Sequence, residues 1–409
     1  MQSFGFVALI LAASEFRVAD GLALAAQSDA CCQHRAQIFV EQCCSQINGI
    51  TIQHRSAWPI GQSTPPCEPG QPPPTVLLIM GLGGTLTAWR SVEARLVLKG
   101  FHVLSFDNRD TGLSYRFDTL LPDPRAHLAP DQSEAVWAYT LDDMAEDALG
   151  VLDHHGVKSA HLVGASMGGQ LAQLLAVRHP SRCRSLVAIM TAARVGEAVA
   201  QTVKADDGAF LKRLERALGD ERPAPGMGLE RFLASRSGYW RLLLGCDEGG
   251  GEGGMEDGCG EQALQKEEEE GDGHRASTPA TAATTATAAT TATDANEAMM
   301  REVDELDWHR GGLDWHHHGG ARQRLAMSEW ERSCGTAHVA ALRHLAVPTL
   351  VLHGRDDPMI RVQAGKELAA LIPGALFVEY PGGHFWFNEH VLNAMIEHMQ
   401  AQDSAHIHG

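Results

Sequence analysis

Two periodicities alternate along most of this chain. Short apolar runs bounded by glycine, proline and aspartate are separated by longer segments in which apolar residues recur every three or four positions. Thr75-Val76-Leu77-Leu78-Ile79-Met80 is a continuous apolar run without polar alternation, which predicts a strand buried on both faces. Gly81-Leu82-Gly83-Gly84 closes it with a turn, and AWRSVEARLVLKG then reads as a helix. The alternation continues with a strand at 102–107, a helix at 141–156, a strand at 160–165, a helix from Gly168 and a strand at 185–191. After a long break come a strand at 349–354, a helix at 362–372, a strand at 375–380 and a last helix beyond His384. Ahead of all this, Ile47 to Ile52 reads as a first strand or hairpin arm, set off by the Pro-rich stretch 61–74. Strands alternating with helices predict an α/β fold: a parallel sheet covered by helices on both faces.

Between about Arg194 and Ala337 the rhythm is lost. Two helical pieces, VKADDGAFLKRLERALG and LERFLASRSGYWRLLL, give way to Gly/Glu-rich and Ala/Thr-rich sequence from about 246 to 293. That composition buries too little apolar surface to fold alone and predicts a disordered insertion. Since the sheet pattern resumes beyond it, the excursion interrupts one domain. The expected division is an extension at 1–44, core at 45–194, an inserted segment at 195–337 and core again at 338–409.

With 409 residues and 44% hydrophobic composition the chain can bury a large core, and its formal charge of -18 excludes electrostatic attraction to nucleic acid or an anionic membrane. An uncharged or weakly charged small molecule is the better partner. The apolar run Phe4 to Ala13 has the length of a secretory signal core and is short of the ~20 residues of a membrane span, so no stable span is expected. No Lys or Arg precedes it, yet Ala23-Leu24-Ala25 offers a cleavage pattern. Two readings stand: a targeting segment in residues 1–25, for secretion or an organelle, and a disordered or docking extension on a cytoplasmic protein. Nine cysteines include the doublets Cys31-Cys32 and Cys43-Cys44, open to a disulfide or a soft-metal reading. The repeat from Asp307 to Gly320 is rich in histidine but has no ordered carboxylate or thiolate spacing, so it reads as an expanded loop.

The chemistry concentrates in LVGASMGGQ, Leu162 to Gln170, where Ser166 falls on the turn between a strand and a helix. Small residues on either side let the backbone turn sharply and lift the hydroxyl above the strand ends. Acyl transfer further needs a base, a carboxylate that orients it and donors for the oxyanion. His384 in PGGH and the pair Asp356 and Asp357 in HGRDDP each follow a strand, at the sheet edge where ligands gather. His353 lies inside a strand end and reads as structural, while His390 and His398 on the last helix are expected to face solvent. The backbone N–H groups of Met167 and Leu82 are the candidate oxyanion donors.

The stretches LLIMGLGGTLTAW, FDNRDTGLS, LDDMAEDALGVLDHHGVKSAHLVGASMGGQLAQLLAVRHP, VPTLVLHGRDDPMI and GGHFWF resemble the α/β-hydrolase superfamily, particularly carboxylesterases of the aclacinomycin methylesterase type. The resemblance implies a mostly parallel eight-stranded sheet, with a helical cap inserted after the strand ending near Thr191. It implies Ser166 as nucleophile, Asp357 as acid and His384 as base, with Leu82 and Met167 at the oxyanion hole. It also implies cofactor-free and metal-free hydrolysis of a small or lipophilic ester, with no oligomeric state specified. In DNRDTGLS, Asp107 and Arg109 match a turn that is structural in the family, and Asp110 stands where the commoner pattern has Gly. Two other readings remain beside the esterase: a ligand-binding protein with little turnover, and a hydrolase of a thioester, lactone or carbon–carbon bond.

Overall fold

The computed structural model describes residues 37–60, 73–117, 138–205, 208–210, 212–213, 228–244, 298–309, 319–384 and 388–408. Strands β1 (Gln37–Ile47), β2 (Ile50–Ile60), β3 (Thr75–Ile79), β4 (His102–Phe106), β5 (Ala160–Ala165), β6 (Cys183–Ile189), β7 (Thr349–Gly354) and β8 (Leu376–Tyr380) form one sheet of order β1-β2-β4-β3-β5-β6-β7-β8. The β1–β2 and β2–β4 pairs are antiparallel and all the others parallel. This is the eight-stranded, mostly parallel sheet that the alternation and the resemblance implied.

Period-2 alternation divides each central strand between two cores. Leu77 and Ile79 of β3 join Leu104, Phe106 and Leu162 on one face, under α2 (Leu141–His154), α3 (Met167–Arg178) and α8 (Val362–Leu371). Val76 and Leu78 join Val103, Val163 and Val187 on the other, under α1 (Arg90–Leu98) and α9 (Glu389–His408). Burying both faces explains why these strands read as unbroken apolar runs. Helix α2 starts with a capping box: Thr140 accepts from the Asp143 N–H while the Asp143 carboxylate accepts from the Thr140 N–H.

Several boundaries differ from the sequence reading. Strand β1 begins at Gln37, so the sheet takes in residues assigned to the extension, and β2 runs on to Ile60. The hairpin turns on Asn48 and Gly49, at φ 50 and 77, the left-handed pair that suits a two-residue turn. As the sheet's outermost strand, β1 mixes polar with apolar positions and lacks a doubly buried run. Strand β6 starts at Cys183, two residues before the expected 185.

In the inserted segment, α4 spans Val195–Ala205, ahead of the helix read from Val203, and α5 spans Leu229–Leu243 much as expected. A helix at 298–309, here α6, and the 24-residue α7 (Gly319–Leu342) were not foreseen. Helix α7 runs across the expected boundary at 337/338. His398 is buried on α9, against the expected solvent exposure, and burial pushes its imidazole below the ordinary value, whereas His390 is exposed. The targeting reading, the Cys31-Cys32 doublet, the 246–293 insertion and residues 310–318 of the histidine repeat lie outside the described residues. Among the described residues, no helix is long and apolar enough to cross a membrane.

Candidate active site

Strand β5 ends at Ala165 and α3 begins at Met167, so Ser166 alone makes the turn, at φ 54 and ψ -123. A β-carbon is strained there by about 1–3 kcal/mol, and the surroundings hold it in place. The Ser166 N–H donates to Ile189 O at 2.9 Å, and its carbonyl accepts from Thr191 Oγ1 at 2.7 Å and from the Gly169 N–H at 2.9 Å. The small neighbours are required by close approach: a Cβ on Gly164 would collide with the Gly168 carbonyl, and one on Gly168 with the Ile79 carbonyl. Helix α3 therefore lies directly against β3 and β5, its N-terminus beside the serine.

The turn after β3 approaches from the other side. A Cβ on Gly81 would lie 3.0 Å from Ser166 Cβ. Gly84 N–H closes the turn onto Gly81 O at 3.2 Å, Gly83 takes φ 66, and the Gly83 N–H donates to Gln323 Oε1 of α7 at 2.9 Å. Leu82 follows Gly81 at the corner of this turn. Met167 follows Ser166 and is the first residue of α3, where N–H groups have no intrahelical acceptor.

Asp357 and His384 meet beyond the ends of β7 and β8. The Asp357 Oδ2 accepts from His384 Nδ1 at 2.7 Å, while Oδ1 accepts from the N–H groups of Met359 at 2.8 Å and Ile360 at 2.9 Å. Both side chains are buried. Burial alone would raise the Asp357 carboxyl, but His384 and His353 more than offset it and hold it well below the usual carboxylate range. Asp356 is exposed, and its N–H donates to Gly382 O at 3.1 Å, tying this loop to the turn before His384.

His353, read as structural, is a neighbour of this pair: its Nε2 is 2.8 Å from Ile360 O and 3.5 Å from Asp357 Oδ2. The signal that could have found it is its position four residues ahead of the aspartate, at the last turn of β7.

The inserted helices meet the loops that carry Gly83, Thr85, Asp110 and Gly383. A Cβ on Gly383 would meet Leu243 O at 2.5 Å, so the end of α5 lies on the histidine loop. Asp307, in the first half of the histidine repeat, accepts from Thr85 at 2.8 Å and Thr87 at 2.9 Å. Arg322 of α7 donates twice to Asp110 at 2.7 Å, fully buried. Asp110 sits at φ 65, which explains why the commoner pattern has Gly there and why a short Asp is tolerated. Asp107 accepts from the N–H groups of Leu86 and Leu113, and Arg109 pairs with Asp147 at 2.6 Å, both turn-holding roles.

A strained serine elbow on a mostly parallel sheet, with a buried Asp–His pair beyond the ends of two other strands of that sheet, is the arrangement of one large class of folds. The chain belongs to the alpha/beta hydrolase fold family, whose model matches residues 74–391. It is 34% identical over 210 residues to rhodomycin D methylesterase DnrP of Streptomyces peucetius, covering 48% of this chain and 61% of that one. It is also 34% identical over 192 residues to rhodomycin D methylesterase DauP of Streptomyces sp. (strain C5), covering 43% and 57%. The chain thus spans under two thirds of the length of these relatives. Among solved structures, the enol-lactonase from Burkholderia xenovorans LB400 aligns with a TM-score of 0.50 at 20% identity, over 88% of this chain and 100% of that one. That likeness speaks to the fold.

Proposed function

We propose that this chain is a serine hydrolase of carboxylic esters, acting on small or lipophilic substrates through an acyl-enzyme. The observation that carries the reading is Ser166, held at positive φ between β5 and α3, at the same sheet edge as the buried Asp357–His384 pair. In the proposed cycle Ser166 Oγ attacks the ester carbonyl and its proton passes to His384 Nε2. The hydrogen bond from Nδ1 to Asp357 selects the tautomer that leaves Nε2 as the acceptor. The N–H groups of Met167 and Leu82 donate to the oxyanion. Collapse releases the alcohol, which takes the proton from His384; water then attacks the acyl-enzyme, giving its proton to His384, and Ser166 leaves with it.

Two further observations support the substrate class. Phe210, Leu242 and Leu243 of the inserted segment cluster with Met359, two residues past Asp357, which gives the site an apolar neighbour. The two relatives above are named methylesterases, which favours a methyl ester. The inserted segment 195–337 then serves as the cap. The test is labelling with a fluorophosphonate, followed by assays on methyl and p-nitrophenyl esters of graded size. Expected are a single label on Ser166 and a loss of turnover near 10⁶-fold in Ser166→Ala. A label mapped to another serine, or none on folded protein, would sink the proposal.

A further inference from the structure

One face of the β1–β2 hairpin gathers a thiol and several imidazoles away from the catalytic loops. Cys43 and His54 are cross-strand partners, and Ser45 lies two residues along β1 on the same face as Cys43. Helix α2 meets this face with its last residue, His154, and with His155 beyond it; residues near its other end hold the Arg109 turn. Cys43 Sγ is 3.4 Å from His54 Nε2. His54 Nε2 and His154 Nε2 both point at Ser45 Oγ, at 2.9 and 3.2 Å. One ligand atom each from Cys43, His54 and His154 lies within 4.8 Å of the others.

These spacings are those of a tetrahedral ligand set before an ion draws it in. Zinc at ~2.3 Å from sulfur and ~2.0–2.1 Å from nitrogen separates a thiolate from an imidazole nitrogen by roughly 3.5 Å. The Cys43–His54 separation already matches. A thiol with two imidazoles selects borderline and soft transition metals over Mg²⁺ or Ca²⁺. His155 supplies the outer support such sites use: its Nε2 is 3.0 Å from His54 Nδ1, which fixes the ring and aims Nε2 at the cluster.

We propose that Cys43, His54 and His154 bind a transition-metal cation of the zinc class, with water or the Ser45 hydroxyl completing the tetrahedron. Binding displaces the Cys43 thiol proton to solvent and joins sulfur and two nitrogens to the ion, with no change of oxidation state. The ion would fasten the outermost hairpin of the sheet to the end of α2. This site is independent of ester hydrolysis at Ser166.

The test is Co²⁺ titration of the metal-stripped full chain, followed by displacement with Zn²⁺. The run His316-His317-His318 is changed to alanine throughout as a background, to remove competing imidazoles. Expected are tetrahedral Co²⁺ absorption with a thiolate charge-transfer band, abolished by Cys43→Ser and retained in Cys44→Ser, which alters the opposite face of β1. Because His154 is exposed, His154→Ala should fold normally and bind Co²⁺ more than ~10-fold more weakly. Zn²⁺ should raise the melting temperature of the parent and not of Cys43→Ser. No thiolate band at saturating Co²⁺, or a band that survives Cys43→Ser, overturns the proposal.

Discussion

The sheet and the inserted segment are held by different physics. The sheet's central strands β3, β5 and β7 are buried along their whole length, and most of their side chains interlock with helices through apolar contact, His161 and His353 being polar exceptions. Helix α7 adds Ala326, Met327, Trp330 and Leu342 to that apolar core but also buries Arg322, Gln323, Glu331 and His338, which tie it down through hydrogen bonds. Apolar burial is non-directional and tolerates repacking, so it fixes a fold loosely in register. Buried polar pairs are directional and costly to break, so they fix one placement of the segment against the core. The difference predicts that substitutions at the polar anchors disturb the site more than their number suggests.

The largest effect expected is at the polar pair nearest the proposed chemistry. Asp357→Asn keeps the shape but favours the wrong imidazole tautomer, and should lower ester turnover by up to ~10⁴-fold. Asp356→Asn, one residue away and exposed, should cost little. If the two variants lost turnover equally, the hydrogen bond to His384 would not be what matters. Next comes the anchor between α7 and the turn after β4. Arg322→Met leaves the buried Asp110 carboxylate without its bidentate partner and should cost about 3–5 kcal/mol in urea unfolding. Adding Asp110→Asn, which tolerates the left-handed backbone, should restore most of that stability. Additive losses in the double variant would show that the pair does not act as a unit.

What could be read from sequence follows the same division. Strands β3 through β7 declared themselves because both faces are apolar, and LVGASMGGQ because close packing of α3 admits only small residues. Asp357 and His384 were recognisable from their strand ends, and the hydrogen bond between them agrees with the resemblance. Helix α7 was missed because its buried face carries charge, which breaks the 3.6-residue apolar pattern that marks a helix. Strand β1 was missed for a related reason: at the sheet's edge, polar residues such as Glu41 and Gln42 interrupt the run. His353 reads as structural from its place at a strand end, and its ring does bond the Ile360 carbonyl, but its closeness to Asp357 leaves no mark in the sequence. Tertiary polar pairing leaves no local period in the chain.

A smaller effect is expected where α7 rests on α3. His338 is buried against Gln173 and Trp330, with Arg178 and Asp142 as its charged neighbours. Burial first, then Arg178, push its imidazole down to about 4, with Asp142 opposing. The folded state therefore refuses a proton that the unfolded chain accepts near pH 6.5. Its contribution to stability is fully present above that value and is lost as pH falls from about 6.5 to about 4. Chemical denaturation across that window should show His338→Gln with a shallower acid slope than the parent, by up to ~1.4 kcal/mol per pH unit. Parallel slopes would mean that His338 is protonated in the folded protein.

The smallest effect concerns Glu331, about two turns further back on α7. Its carboxylate accepts from the N–H groups of Gly196 at 2.9 Å and Glu197 at 3.0 Å, at the start of α4, and from Gln170 Nε2 at 3.1 Å. It therefore caps one helix from another, a task usually done by a residue of the capped helix itself. Burial raises the Glu331 carboxyl, and the donors from Gly196, Gln170 and Glu197 together with Arg194 only partly compensate. The negative charge is thus not what the site most rewards; the two acceptor oxygens are. Glu331→Gln keeps one acceptor and should cost about 1 kcal/mol, whereas Glu331→Ala strands two backbone donors and should cost about 2 kcal/mol or more. Urea midpoints of the two variants decide between charge and acceptor: equal losses would assign the stabilisation to the charge, and a larger loss in the alanine variant assigns it to the hydrogen bonds.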